Sequence, residues 1–236
     1  MKKEKKWKGE LSSEESKKLL GSNMNFAAAE SYKLLRTNLG FSLVEKNGCN
    51  IIGVTSSMKG EGKSTTSVNL AYTMGETGKR TLLVECDLRL PTMAKRLPVK
   101  AQPGLSNLLA GQCSGNDVLQ KSGLIPTLWV ITAGKVPPNP AELLSSKPME
   151  ETIKALSEIF DVIILDLPPV TAVTDAAIVT KLVDGIVMVV RQDVCDRGAL
   201  DESVRQLRFS GGKILGFVMT CADTQKKNYK HYGDYT

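Results

Sequence analysis

The chain has 236 residues, 42% hydrophobic and 24% charged, the balance of a soluble globular protein with material for one substantial core. Its net charge of +6 is concentrated at the start: the first eight residues, MKKEKKWK, hold five Lys and one Glu, and the last fifteen residues contribute +1. The body between is almost neutral, which excludes a basic surface that could track nucleic acid, so no nucleic-acid partner is expected. The five cysteines (Cys49, Cys86, Cys113, Cys195, Cys221) are scattered without CxxC spacing and read as reduced thiols. No apolar run approaches the roughly 18 residues of a membrane span, and no signal-peptide core is evident, so a cytoplasmic protein is expected.

In chain order, residues 1–25 are polar and read as a flexible basic arm, residues 26–221 as one domain, and residues 222–236 as a flexible tail. Leu34, Leu35, Leu39 and Leu43 predict a helix over Phe26–Lys46. A strand follows at Asn50–Thr55, then a glycine-bearing loop and a helix over Ser64–Thr77. Further strands are predicted at Arg80–Glu85, Leu128–Thr132, Asp161–Asp166, Gly185–Val190 and Lys213–Thr220. Helices are predicted at Ala141–Ile159, Asp175–Leu182 and Ala199–Phe209. The strands are nearly unbroken Val/Ile/Leu, as in a parallel sheet covered on both faces. Alternation of strand and helix over the whole body predicts an α/β fold, a doubly wound, mostly parallel sheet of the P-loop NTPase type.

The strongest motif runs Ser57-Met58-Lys59-Gly60-Glu61-Gly62-Lys63-Ser64-Thr65, directly after a strand and opening a helix. It matches GxxxxGK followed by Ser or Thr, except that Ser57 stands where the first Gly would be. Gly60 and Gly62 let the backbone turn its N–H groups toward phosphate oxygens. Lys63 reaches the β- and γ-phosphates, and Ser64 offers a hydroxyl to Mg²⁺ at a helix N-terminus that favours negative charge. Mg-ATP is the expected cofactor. Two apolar strands end in acids, at Glu85-Cys86-Asp87 and at Asp166. Strand ends of an open α/β sheet converge on the binding crevice, so Glu85, Asp87 and Asp166 are candidate catalytic carboxylates, with Asp87 and Asp166 the metal-linked ones.

With GEGKST (60–65), LLVECDLRLPT (82–92), PPNPAELLSS (137–146) and VIILDLPP (162–169), the chain resembles the bacterial tyrosine kinases of capsule and exopolysaccharide export over roughly Glu30 to the C-terminus. The resemblance implies an ATP-dependent protein-tyrosine kinase. It also implies a separate membrane activator that recruits it to the inner face of the membrane. Three departures stand out: Glu85 where the family usually has Asp, Lys33 where an Arg is usual, and Thr220 where an Asn is often found. The helix segment Glu30-x-x-Lys33-x-x-Arg36 corresponds to the family's subunit-contact motif, and Lys cannot reproduce a bidentate guanidinium contact.

Of five Tyr in the chain, Tyr229, Tyr232 and Tyr235 fall in the last eight residues. Polar tails are ordinarily poor in aromatics, so these three are the expected phosphoacceptors. A cycle is expected: a homo-oligomeric ring when unphosphorylated, dissociation when phosphorylated, and a tyrosine phosphatase to reset it, the alternative being that phosphotyrosine recruits Arg36 or Lys33 of a neighbour and tightens the assembly. Two alternatives compete. One is an ATP-dependent dimerising switch of the partitioning type, although Met58 stands where such proteins carry a second Lys. The other is a catalytically weak nucleotide-binding regulator, marked by Glu85.

Overall fold

Unbroken apolar runs form the centre of a sheet whose strands stand in the order β3-β4-β2-β5-β1-β6-β7. The computed structural model describes residues 19, 24, 26–43 and 48–222. Its strands are β1 (Asn50–Ser56), β2 (Thr81–Glu85), β3 (Gln120–Lys121), β4 (Leu128–Ile131), β5 (Val162–Asp166), β6 (Gly185–Arg191) and β7 (Ile214–Thr220). All pairings are parallel except the short β3–β4 contact at one edge. Strands β2 and β5 are buried from end to end, which is why they read as continuous rather than alternating hydrophobes. The expected α/β sheet of the P-loop type is therefore observed.

The helices are α1 (Phe26–Ser42), α2 (Lys63–Gly75), α3 (Met93–Arg96), α4 (Leu105–Leu109), α5 (Gly115–Val118), α6 (Pro140–Leu144), α7 (Lys147–Ile159), α8 (Asp175–Val179) and α9 (Arg197–Phe209). They close two cores, one on each face. Val68, Leu70, Ala71 and Met74 of α2, with Leu39 and Leu43, pack under Ile52, Val54 and Ile164. On the other face, Met149 and Ile153 of α7, Ala176 and Val179 of α8, and Leu207 of α9 cover Leu82, Ile163 and Ile186. Leu19, inside the expected arm, is 3% exposed and belongs to the α2-side core.

The single helix predicted over 141–159 is two. Ser146 caps α7, its hydroxyl accepting from the Met149 N–H at 3.4 Å, and Pro148 in the first turn has no N–H with which to continue α6. The pieces α3, α4, α5 and β3 were not predicted, being too short to show a period. Among the described residues no helix is long and apolar enough to cross a membrane. The tail carrying Tyr229, Tyr232 and Tyr235 lies outside the described residues.

Candidate active site

Strand register brings the acids to one end of the sheet. Asp166 on β5 pairs with Glu85 on β2 and with Val54 on β1, so both acidic strand ends and the loop leaving β1 share one crevice. That loop is shaped by glycine: Gly60 and Gly62 have φ of 87° and 95°, in the left-handed region that a side chain disfavours. Its outward groups are tied down. The Ser57 carbonyl accepts from the Thr171 N–H at 3.2 Å and hydroxyl at 2.6 Å. The Gly60 carbonyl accepts from Arg191 Nη1 at 3.2 Å, and the Glu61 carbonyl from the Thr220 hydroxyl at 2.7 Å. Glu61 itself is buried behind the loop, where its carboxylate accepts from the Met58 N–H at 3.0 Å. Thr220 thus clamps the loop rather than facing away from it.

A cavity of about 340 Å³ opens over the loop. Lys59, Gly60, Gly62, Lys63 and Ser64 line it, facing Asp87, Arg89 and Arg96. Of the predicted nucleotide contacts, Ser57, Met58, Glu61 and Thr65 are not in this lining. Ser57 and Glu61 act as scaffold, Met58 is 40% exposed, and the Thr65 hydroxyl accepts from Arg96.

Lys63 Nζ lies 2.9 Å from Asp87 Oδ2, 3.7 Å from Asp166 Oδ2 and 3.3 Å from Ser64 Oγ. Burial is the largest influence on this ammonium and opposes its charge. Asp166 and Asp87 together outweigh it and hold the pKa above the ordinary lysine value. The lysine is therefore a fixed cation at neutral pH. Asp166 Oδ1 accepts from the Ser67 hydroxyl at 2.9 Å, while Oδ2 is buried and has no hydrogen-bond donor. Asp87 Oδ1 accepts from the Leu90 N–H at 3.1 Å, which closes the turn after β2.

Two carboxylates and a hydroxyl, one carboxylate oxygen without a hydrogen bond, suit a hard cation that shares its coordination with phosphate and water, as Mg²⁺ does. Among the described residues, no group of three or more His, Cys, Asp or Glu is placed to cage a metal by itself. The donor set therefore fits Mg²⁺ brought with a nucleotide.

Glu85 is built differently from Asp87. Its Oε1 accepts from the backbone N–H groups of Thr92 and Met93, and its Oε2 from the Ala133 N–H at 3.0 Å. It is 1% exposed, and burial, the dominant influence, raises its pKa against those three hydrogen bonds. It does not line the cavity over the loop. Its extra methylene, relative to Asp, lets the carboxylate join the start of α3 to the end of β4. Glu85→Ala leaves three backbone N–H groups unpaired, two of them buried at about 1–3 kcal/mol each and the third, Thr92, half-buried. The expected result is a melting temperature lower by about 10 °C or more, at roughly 2–4 °C per kcal/mol for a domain of this size. A calorimetric scan showing no shift would contradict this role.

Sequence patterns missed several partners. Arg89 forks onto Asp175, with Nε to Oδ2 at 2.9 Å and Nη2 to Oδ1 at 3.1 Å, and Asp175 is fully buried at the start of α8. The predicted subunit-contact residues also have internal partners. Lys33 pairs with Glu30 on the same helix at 2.7 Å. Arg36 Nη1 donates to the Thr73 carbonyl at 2.8 Å, supplying the cation that the last turn of α2 lacks. On the exposed side of α1, Phe26, Leu34 and Phe41 are 80%, 61% and 85% accessible and their spacing puts them on one face, which they share with Glu30 and Thr37.

A parallel sheet feeding a glycine loop into a helix, with two strand-end aspartates converging on the loop's lysine, defines a P-loop nucleotide-binding domain. The model of the AAA domain family matches residues 49–205. Tyrosine-protein kinase CpsD of Streptococcus agalactiae is 37% identical over 186 residues, covering 78% of this chain and 81% of the relative. The kinase domain of Escherichia coli tyrosine kinase ETK superposes with a TM-score of 0.77 at 33% identity, covering 84% of this chain and 78% of that one. The putative tyrosine-protein kinase EpsB of Ralstonia nicotianae is 34% identical over 195 residues, which are 81% of this chain and 26% of the relative. The chain belongs to the bacterial tyrosine-protein kinase family.

Proposed function

We propose that this protein transfers the γ-phosphoryl group of ATP to tyrosines, first those of its own tail, within a polysaccharide export system. The observation that carries this is Lys63 held between Asp87 and Asp166 at the mouth of the loop, in a chain of this family. Ser64 and Asp166, with Asp87, would hold Mg²⁺, which neutralises charge across the β- and γ-phosphates when bound. The loop's N–H groups and Lys63 bind and orient the phosphates, favouring the spread charge of the transition state. A phenol has a pKa of about 10, so attack calls for a nearby acceptor. Asp87 fills that role: it lines the cavity, whereas Glu85 lies outside that lining and is held by three backbone N–H groups.

The tail leaves β7 at Ala222. From β7 to β2 is four strand spacings, about 19 Å. The seven residues to Tyr229 span at most about 25 Å extended, so reach alone permits reaction within one chain. Reaction between subunits is favoured by the three large hydrophobes exposed on one face of α1, which a neighbour would cover. Phe26, Leu34 and Phe41 then carry the contact with Glu30 among them and Lys33 beside it, and Arg36 anchors α1 from behind. Each phosphotyrosine adds about −1.5 to −2 charges. Three would swing the tail from +1 to about −4 or −5, opposing both the acidic site and neighbouring tails. Assembly when unphosphorylated and release when phosphorylated follows, with a phosphatase closing the cycle. A membrane activator would bring the kinase to the membrane's inner face.

One mixing experiment tests this reading. Lys63→Met protein with an intact tail is incubated with active protein truncated after Ala222, with Mg-ATP. The expected result is phosphate on Tyr229, Tyr232 and Tyr235 of the inactive chain, and a smaller sedimenting species afterwards. An unlabelled inactive chain beside self-labelling parent protein would overturn transfer between subunits. A larger species after phosphorylation would overturn the cycle. Adding the cytosolic segment of the membrane partner should raise the initial rate, and an unchanged rate would remove the activator.

A further inference from the structure

Arg96 ends α3 and borders the same cavity as Lys63, Ser64 and Asp87. Its Nη1 donates to the Thr65 hydroxyl at 3.0 Å, one residue beyond Ser64 in the loop motif. Its Nε is buried and has no acceptor. Among the described residues no carboxylate pairs with it, although Asp87 lines the same cavity. A guanidinium offers five N–H donors, and a buried Nε without an acceptor on an otherwise half-buried side chain calls for an explanation. The nearby Arg89 shows what a guanidinium's Nε–Nη2 edge can do, since its Nε and Nη2 grip the two oxygens of Asp175 side by side. On Arg96 the Nε of that edge has no acceptor while Nη1 is engaged with the loop.

The position of Arg96 is fixed from below. Glu85 holds the N–H groups of Thr92 and Met93 at the start of α3, Met93 is fully buried, and the Leu97 N–H returns to the Met93 carbonyl at 2.9 Å. A four-residue helix pinned at both ends presents its last side chain in one direction. The departure Glu85 and the side chain Arg96 are therefore mechanically linked.

We infer that Arg96 is a second fixed cation for the nucleotide's phosphate chain. With a nucleotide in the cavity, the guanidinium turns its Nε–Nη2 edge out to a phosphate group while Nη1 stays on Thr65. This rests on the site being a nucleotide site. Lys63 supplies a point charge from within the loop, whereas Arg96 supplies a planar fork from outside it, suited to two phosphate oxygens at once.

Calorimetric titration of parent, Arg96→Gln and Arg96→Lys with Mg-ATP, together with melting of each protein alone, tests the assignment. Arg96→Gln should bind Mg-ATP at least tenfold more weakly, with a melting temperature at or above the parent's because an unmatched buried donor is gone. Arg96→Lys should recover only part of the affinity, since one ammonium cannot hold Thr65 and a phosphate fork together. Affinity of Arg96→Gln within twofold of the parent's overturns the inference. So does a weakened affinity accompanied by a lowered melting temperature, which would make Arg96 a structural brace of α3. If Arg96→Gln does not fold, Arg96→Lys is decisive, and parent-like affinity overturns the inference. A parent protein that binds no nucleotide would instead remove the nucleotide reading beneath it.

Discussion

Lys63→Met leaves the protein folded and without measurable phosphoryl transfer. The ammonium is the cation of the loop itself, and it is kept charged by Asp166 and Asp87 despite its burial. Transfer of a phosphoryl group asks little covalent work of the protein and depends on positioning and charge, so a preorganised cation is a large part of the rate. Loss of one such group costs about 10²–10³-fold in comparable sites. Methionine matches the length of lysine's stem, so the substitution removes charge with little change in packing. It also leaves Asp87 and Asp166 facing each other without their shared counter-ion, which weakens nucleotide binding unless Mg²⁺ is raised. A radiolabel assay across Mg²⁺ concentrations measures both effects. Transfer within tenfold of the parent's would contradict the placement of Lys63 at the reacting phosphates.

Asp87→Asn separates the chemistry from binding. Asparagine keeps an oxygen for the Leu90 N–H, so the turn after β2 should persist. It cannot accept the phenol proton. General-base catalysis contributes about 10²–10⁴-fold, and a fall of that order in the rate of tyrosine phosphorylation is expected, with Mg-ATP affinity within a few-fold of the parent's. The contrast with Glu85→Ala, whose effect should appear in melting temperature, distinguishes two acids two residues apart. Loss of Mg-ATP binding in Asp87→Asn would make metal retention its sole role, in place of the share it has with Ser64 and Asp166, and leave the base elsewhere.

The parts of this architecture that were legible in the sequence are those that local pattern determines. Strands β1, β2, β5 and β6 showed as apolar runs because neighbours cover both faces. The loop from Ser57 to Thr65 showed because its glycine and lysine spacing is set by the phosphate it would wrap. The break at Ser145–Ser146 was available in Ser146 and Pro148 but was masked by the helical residues on either side. What could not be read is what the fold alone brings together. Glu85 looked like a catalytic acid because its partners are backbone N–H groups, one of them 48 residues away at Ala133. Asp175 meets Arg89 across 86 residues, and Arg36 meets Thr73 across 37. Arg96 sits in a helix too short to carry a period, and its relation to Thr65 exists only once β2 and α2 lie side by side.

The central claim, an ATP-dependent tyrosine kinase acting on its own tail, is tested most directly by mass spectrometry of the purified chain before and after incubation with Mg-ATP. Phosphate is expected on Tyr229, Tyr232 and Tyr235 in the parent and on none of them in Lys63→Met. Turnover of ATP with no phosphotyrosine in the parent chain, with or without the activator segment, would contradict the kinase account and favour a nucleotide-driven switch.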